Sequence, residues 1–476
     1  MNAFADAISE QKTTTTNGMP ARVGSADACT DLFFKIGAMR GQDVIPAFTA
    51  AYAQHPDTAL RIVQWARDVR HGAGERQLFR NILTHLEKGT TALDHEALRA
   101  LIRRTPELGR WDDLLVFQTV EFKRLAYDVI FGALQTGNGL AAKWMPRKGP
   151  VAAELRAHFG MTPKSYRKML VRLTNVVETQ MCAKNWNEIN FSHVPSLAAS
   201  RYKKAFFRQA LDSYKEYLTQ LVKKDPTKPA VKVNAGAVYP YDVIKTAMRG
   251  DREAIELITA QWDALPNFIG DASILPIVDV SGSMTANVGG TTSAMDVSVS
   301  LGLYCADKNR GAFKDVFMTF SDTSDLVKLQ GNIVQKLDQI RHSHWAMSTN
   351  LEAAFIKILD VAMQNSVAKE DMPKTVLIIS DMQFNSCVRV ASDSSQNMIE
   401  RMYKEQGYTI PNVVFWNVCD AGNVPVRFDK RGTALVSGFS PSIMKSVLSG
   451  KDLTPAAIMW RTVGVDRYDL ALDTQD

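Results

Sequence analysis

The sequence predicts a multidomain α plus α/β protein. An all-helical part covers residues 27–270, and an α/β part with a doubly wound parallel sheet covers 271–476. Three observations lead there. Apolar residues recur at helical spacing from Asp27 to about Asn267. Apolar, β-branched runs begin near Asp271 and alternate with helical patterns from there on. The net charge of +6 is also uneven: residues 1–270 hold 37 Lys and Arg against 27 Asp and Glu, so the remainder is net acidic.

Residues 1–26 are polar, with a Thr run, a Gly and a Pro, and are expected to form a flexible tail. In "PDTALRIVQWARDVR" Ala59, Ile62, Val63 and Ala66 share one helical face, and Pro56-Asp57 suits a helix start. "GERQLFRNILTHLEK", "HEALRALIRR" and "DDLLVFQTVEFKRLAYDVIFGAL" read alike, with breaks at residues 71–74, Thr105-Pro106 and 137–139. Many helices joined by short turns fit a helical stack better than a four-helix bundle. Beyond Asp271 the strands expected are 274–280, 316–320, 375–380, 413–418 and 435–438. The helices expected are 294–307, 333–341, 351–365, 393–405 and 442–448. Near-continuous apolar strands between helices imply a sheet covered on both faces, with any ligand beyond the strands' carboxyl ends.

Composition narrows the class. Of 476 residues, 46% are hydrophobic and 22% charged, an ordinary globular balance. No apolar run approaches the roughly 18 residues of a membrane span, and the first residues lack the pattern of a secretory signal. Five scattered cysteines without CxxC spacing point to free thiols in a reducing cytosol, so a cytoplasmic protein is expected. His342 and His344 form an HxH pair with no evident third ligand, and read as exposed helix-end histidines.

The chemistry concentrates in "ILPIVDVSGSM", residues 274–284. There Asp279, Ser281 and Ser283 stand on alternate positions after a buried strand. A serine nucleophile would want G-x-S-x-G and a histidine base, but the glycine pattern is missing and no His follows at a comparable strand end. A phosphate loop would want GxxxxGK[ST], also missing. An aspartyl-nucleophile phosphatase usually carries a second acid two residues on, where this chain has Ser281. A metal site gains support downstream. "MSTNLEAAF" sets Thr349 at a helix start, and "TVLIISDMQF" ends a second apolar strand with Asp381. Two carboxylates and three hydroxyls suit Mg²⁺ or another hard divalent cation. They neutralise it only in part, so an acidic group of a protein partner could fill an open position.

Asp279, Ser281, Ser283, Thr349 and Asp381 match all five positions of the metal-ion-dependent adhesion site, so residues 271–440 resemble a von Willebrand factor A domain. "RDVRHGAGERQLF", "GRWDDLLVF", "AAKWMPRKG" and "NEINFSHVPSLAASRYKKAF" resemble the helical module of a poorly characterised phage, bacterial and plant family. That module is related to the TROVE module of the Ro ribonucleoproteins. The resemblance implies a HEAT-like helical-repeat domain followed by a Rossmann-like von Willebrand A domain. It also implies RNA as partner, Mg²⁺ at the five residues, and no catalytic residues.

The basic block from Lys143 to Lys232, with 18 basic against 6 acidic residues, supports an RNA partner. Lys164, Arg167, Lys168 and Arg172 share one helical face, as do Arg201, Lys204 and Arg208. With Arg147, Lys148 and Lys203 these are the candidate RNA-binding residues. Like charges at this spacing are uncomfortable without an anion, yet a plain solvated face explains them equally well. "RDVRHGAGERQ" reads first as a helix–turn–helix joint, with Gly72 and Gly74 in the turn and Glu75 with Arg76 capping or pairing. In "GRWDDLL", Trp111 reads as packing and Asp112 as a helix-start carboxylate. A metal-dependent protein-interaction module without RNA is the alternative reading. A phosphatase or metal nuclease stands behind both, since the acids such enzymes pair are missing.

Overall fold

The computed structural model describes residues 12–174, 176–223, 225–235, 238–248, 255–289, 292–320, 326–342, 349–386, 395–420, 422–449 and 452–470. Two compact units divide the chain. One joins Met1–Ile62 to Val238–Asp466, and the other joins Val63–Ala237 to Arg467–Asp476. The boundary thus falls elsewhere than residue 270. Helical periodicity marks an apolar face but not what that face packs against. Helices Ala28–Ile36 and Pro240–Met248 read as part of the helical stretch, yet they pack with the sheet unit.

In the sheet unit the strands are β1 (Lys12–Thr14), β2 (Pro20–Arg22), β3 (Ile274–Val278), β4 (Asn287–Gly289), β5 (Thr292–Ser293), β6 (Val316–Thr319), β7 (Leu326–Lys328), β8 (Thr375–Ser380), β9 (Asn412–Asn417) and β10 (Thr433–Ser437). Six form one sheet in the order β10-β9-β8-β3-β6-β7. All its pairings are parallel except the edge pair β6–β7. β3, β8 and β10 are buried along their whole length, as strands covered on both faces must be. Their side chains alternate. Leu275 and Ile277, Val376 and Ile378, and Val413 and Phe415 enter one core with Phe355, Ile358, Met398 and Met402 from helices Leu351–Gln364 and Ser395–Glu405. On the other face helix Ala294–Lys308 lies so close that a Cβ on Gly302 would sit 2.2 Å from Val278.

The expected tail is corrected where it is described. β1 and β2 pair antiparallel, and Met19 between them is buried in the core. A polar run whose partners lie hundreds of residues away carries no local signal of order. Residues 1–11 lie outside the described residues. Helix Ala28–Ile36 buries Phe33 and Phe34, and Ser437 at the end of β10 donates to the Phe33 carbonyl (3.0 Å).

In the other unit successive helices pack on one another, among them Gln77–Glu87, Ala92–Leu108, Val120–Gln135 and Gly139–Trp144. The break expected at Thr105-Pro106 is absent: Pro106 lies within Ala92–Leu108, which gives up one amide bond there and ends soon after. "DDLLVF" is a 3₁₀ turn, Trp111–Leu115, rather than the start of the next helix. Gly72 does mark a turn, since a Cβ there would overlap the Trp65 carbonyl. Among the described residues no helix is long and apolar enough to cross a membrane. Cys29, Cys182, Cys305 and Cys419 are free, and Cys387 lies outside the described residues.

Candidate functional site

The chain leaves β3 toward β6 on one side and later returns to β8 on the other, so β3 and β8 flank the point where strand order reverses. A crevice beyond the carboxyl ends is expected there. Asp279 follows β3, held by its amide to the Ile379 carbonyl (2.9 Å), and Asp381 follows β8. Four of the five candidate metal residues are linked there by hydrogen bonds. The Ser281 amide donates to Asp279 Oδ1 (2.9 Å), the Ser281 and Ser283 hydroxyls are 3.0 Å apart, and the Ser283 side chain bonds Asp381. Thr349, the fifth, is buried at 1% exposure, and its Oγ1 has no hydrogen-bond partner among the described residues. Its carbonyl accepts from the Asn385 amide (3.0 Å), which ties it to the loop that Asp381 opens.

Burial, and then the charge of Asp381, push the Asp279 carboxyl up to about 6. Burial also raises Asp381, against the hydrogen bonds from Ser283 and the Gln383 amide. Two buried acids that disfavour their own charges, with a buried hydroxyl lacking a partner, form a donor set that a hard cation would satisfy. Among the described residues no group of three or more His, Cys, Asp or Glu gathers, so the set is mostly hydroxyl.

Two residues here escaped the sequence reading. Ser380 donates to Asp279 Oδ2 (2.6 Å) and accepts from the Met382 amide (2.9 Å). Gln383 gives its amide to Asp381 Oδ1 (3.1 Å). Between them Met382 holds φ at 65°, a left-handed conformation unusual for a side chain of this size. The serine before Asp381 was a visible signal, but its role depends on the β3–β8 register.

The basic candidates lie in the helical unit. Lys164, Arg167, Lys168 and Arg172 are exposed along helix Pro163–Leu173, and Arg147 and Lys148 are exposed ahead of it. Arg201, Lys204 and Arg208 are exposed along helix Ser196–Gln209, whereas Lys203 is buried on its inner side and leaves the exposed face. One position along a helix turns a side chain by about 100°, which suffices to move it inward. His342 ends helix Ile333–His342, exposed, with Nδ1 on the Asp338 carbonyl (2.6 Å). His344 lies outside the described residues.

The "RDVRHGAGERQ" and "GRWDDLL" stretches meet in an ion-pair cluster. Arg67 and Arg80 each donate through Nε to Asp113 (2.7 Å), and Arg110 donates through Nε to Asp112 (2.8 Å). Asp113, rather than Asp112, accepts the Arg110 amide at the turn start. The Arg110 guanidinium lies 3.6 Å over the Trp144 ring. Trp111 is buried, and Arg76 precedes helix Gln77–Glu87 without a side-chain cap.

Comparison with known proteins adds relatives. Residues 273–465 match a domain of unknown function, DUF7788. A protein described as uncharacterized protein L728, from Acanthamoeba polyphaga mimivirus, is 28% identical over 506 aligned positions, covering 94% of this chain and 86% of that protein. The crystal structure of the Deinococcus radiodurans RO (RSR) protein is similar with a TM-score of 0.47 at 14% identity, over 87% of this chain and 92% of that one. A second domain of unknown function, DUF2828, matches residues 15–117 and 138–275, just over half of the chain. On that match the chain belongs to the DUF2828 family.

Proposed function

We propose that this protein is a non-catalytic, cytoplasmic RNA-binding scaffold. Its helices, a HEAT-like stack, bind structured or single-stranded RNA, and its von Willebrand A-type sheet domain holds Mg²⁺ or a similar cation. The observation that carries the RNA reading is the row of exposed cations on helix Pro163–Leu173, continued by Arg147 and Lys148 and echoed on helix Ser196–Gln209. Phosphates relieve the repulsion within such a row and release counterions. The TROVE-like motifs quoted above point the same way.

The cation reading rests on the buried carboxylate pair and the Thr349 hydroxyl. Asp279, Ser281, Ser283 and Thr349 would hold the ion, with Asp381 behind them. Bound there, it would supply an electrophilic position for an acidic side chain of a protein partner. That observation also favours a second reading, a metal-dependent protein-interaction module without RNA.

Filter binding with structured and single-stranded RNA separates the two. Wild type should bind at micromolar concentration or tighter, with affinity falling steeply as salt rises. Charge reversal at Lys164, Arg167 and Lys168 should weaken binding on the order of tenfold or more, while EDTA leaves it unchanged. No binding at low salt removes the RNA reading. Partner recovery that is lost with Asp279→Ala or EDTA then supports the interaction module.

A further inference from the structure

We propose that the amino-terminal segment Thr15–Gly18 is a positioning strap for the metal loop, setting the site's affinity for its cation. The inference rests on the cation reading above. The loop from Asp381 to Ser386 is held from two sides. On the inner side the Gln383 amide fixes the Asp381 carboxylate, and the Asn385 amide holds the Thr349 carbonyl, so one short loop places two of the five candidate ligands. On the outer side the strap supplies hydrogen bonds. The Thr15 hydroxyl donates to the Phe384 carbonyl (2.6 Å), and the Thr16 amide donates to the Gln383 side-chain oxygen. Asn17 Nδ2 donates to the Gln383 carbonyl (2.7 Å), and the Ser386 amide returns a bond to the Asn17 carbonyl (3.2 Å).

Gln383 is the junction. It bonds Asp381 through its amide and the strap through its carbonyl and its side chain, and it is buried. Displacing the strap frees two of these three anchors. Gly18 fits this close pass for two reasons. Its φ is 90°, and a Cβ there would stand 2.6 Å from the Ser386 hydroxyl. The Met19 side chain, buried in the core, anchors the segment by packing, so the strap can be loosened without unfolding the sheet. A Thr349 hydroxyl displaced by even a fraction of an ångström, with the Asp381 carboxylate behind it, no longer meets the narrow geometry of Mg²⁺.

The test uses the full chain with Mn²⁺ as probe, its binding read by electron paramagnetic resonance. Hydrogen exchange of the Gln383, Asn385 and Ser386 amides is read alongside. Thr15→Val with Asn17→Ala, and separately Gly18→Ala, should weaken Mn²⁺ binding on the order of tenfold, about 1.4 kcal/mol, and should speed exchange of those amides. Thr16→Ala, which keeps its backbone amide, should leave both as in wild type. Unchanged Mn²⁺ affinity in the strap variants overturns the proposal, whatever the exchange shows. If wild type takes up no Mn²⁺ at all, the cation reading itself fails and takes the proposal with it.

Discussion

Asp113 carries several demands at once in the helical unit. Its two oxygens serve the guanidinium groups of Arg67 and Arg80 and the Arg110 amide, and both it and Arg67 are almost wholly buried. A buried ion pair is an unreliable source of net stability, but removing one partner strands the other charge. Asp113→Ala is therefore expected to cost about 3–5 kcal/mol, read as a lowered midpoint of urea unfolding. Gly109 belongs to the same arrangement, since a Cβ there would press on Asp113 and Arg67. Sequence alone pointed to Asp112 as the helix-start carboxylate, whereas Asp113 accepts the Arg110 amide. That choice depends on two arginines 46 and 33 positions away.

At the scale of elements, helix Ala294–Lys308 decides how the sheet is covered. It crosses β3 with Gly302 against Val278 and Phe317, at a distance that leaves no room for a methyl group. Gly302→Ala trades a gain in helix propensity for overpacking. It should destabilise the protein by about 1–3 kcal/mol, visible as a lower melting temperature. The central strands were legible because a strand buried on both faces writes itself as an apolar run, and "ILPIV" and "TVLIIS" are such runs. β7 was not legible: it is three residues long, half-exposed, and lies at the sheet edge. Helix Pro455–Val463 did carry a signal, Thr454 as cap before Pro455, that the pattern of strands overshadowed. Of the candidate site, the acids and hydroxyls could be read from spacing. Ser380 and Gln383 could not, because they act through neighbours brought in by strand register and by the hairpin.

For the whole molecule the main fact is that the sheet unit is built from both ends of its stretch of chain. A fragment of residues 271–476, cut where the texture of the sequence changes, would lose Met19, Phe33, Phe34 and helix Pro240–Met248, all of which bury apolar surface in that unit. Exposed faces of that size drive association. The fragment is expected to elute as aggregates in size-exclusion chromatography and to melt without a cooperative transition, whereas the full chain should do neither. A sharp, reversible melt from the fragment would show that the helices are accessory.

The strap has a consequence for the order of events on the ribosome. Thr15 is made early, yet the carbonyl it bonds follows 369 residues later. At ribosomal speeds of about 5–20 residues per second the amino-terminal segment waits roughly 20–70 s for its partner. Phe33 and Phe34 wait still longer for β10, and the helices of Val63–Ala237 emerge early but wait for Arg467 and Tyr468 to pair with Asp68. Met19, Phe33 and Phe34 thus stay without their sheet partners through most of synthesis. The loop from Asp381 to Ser386 is braced only after Ser386 has cleared the exit tunnel, so the proposed cation site is among the last features of the protein to mature.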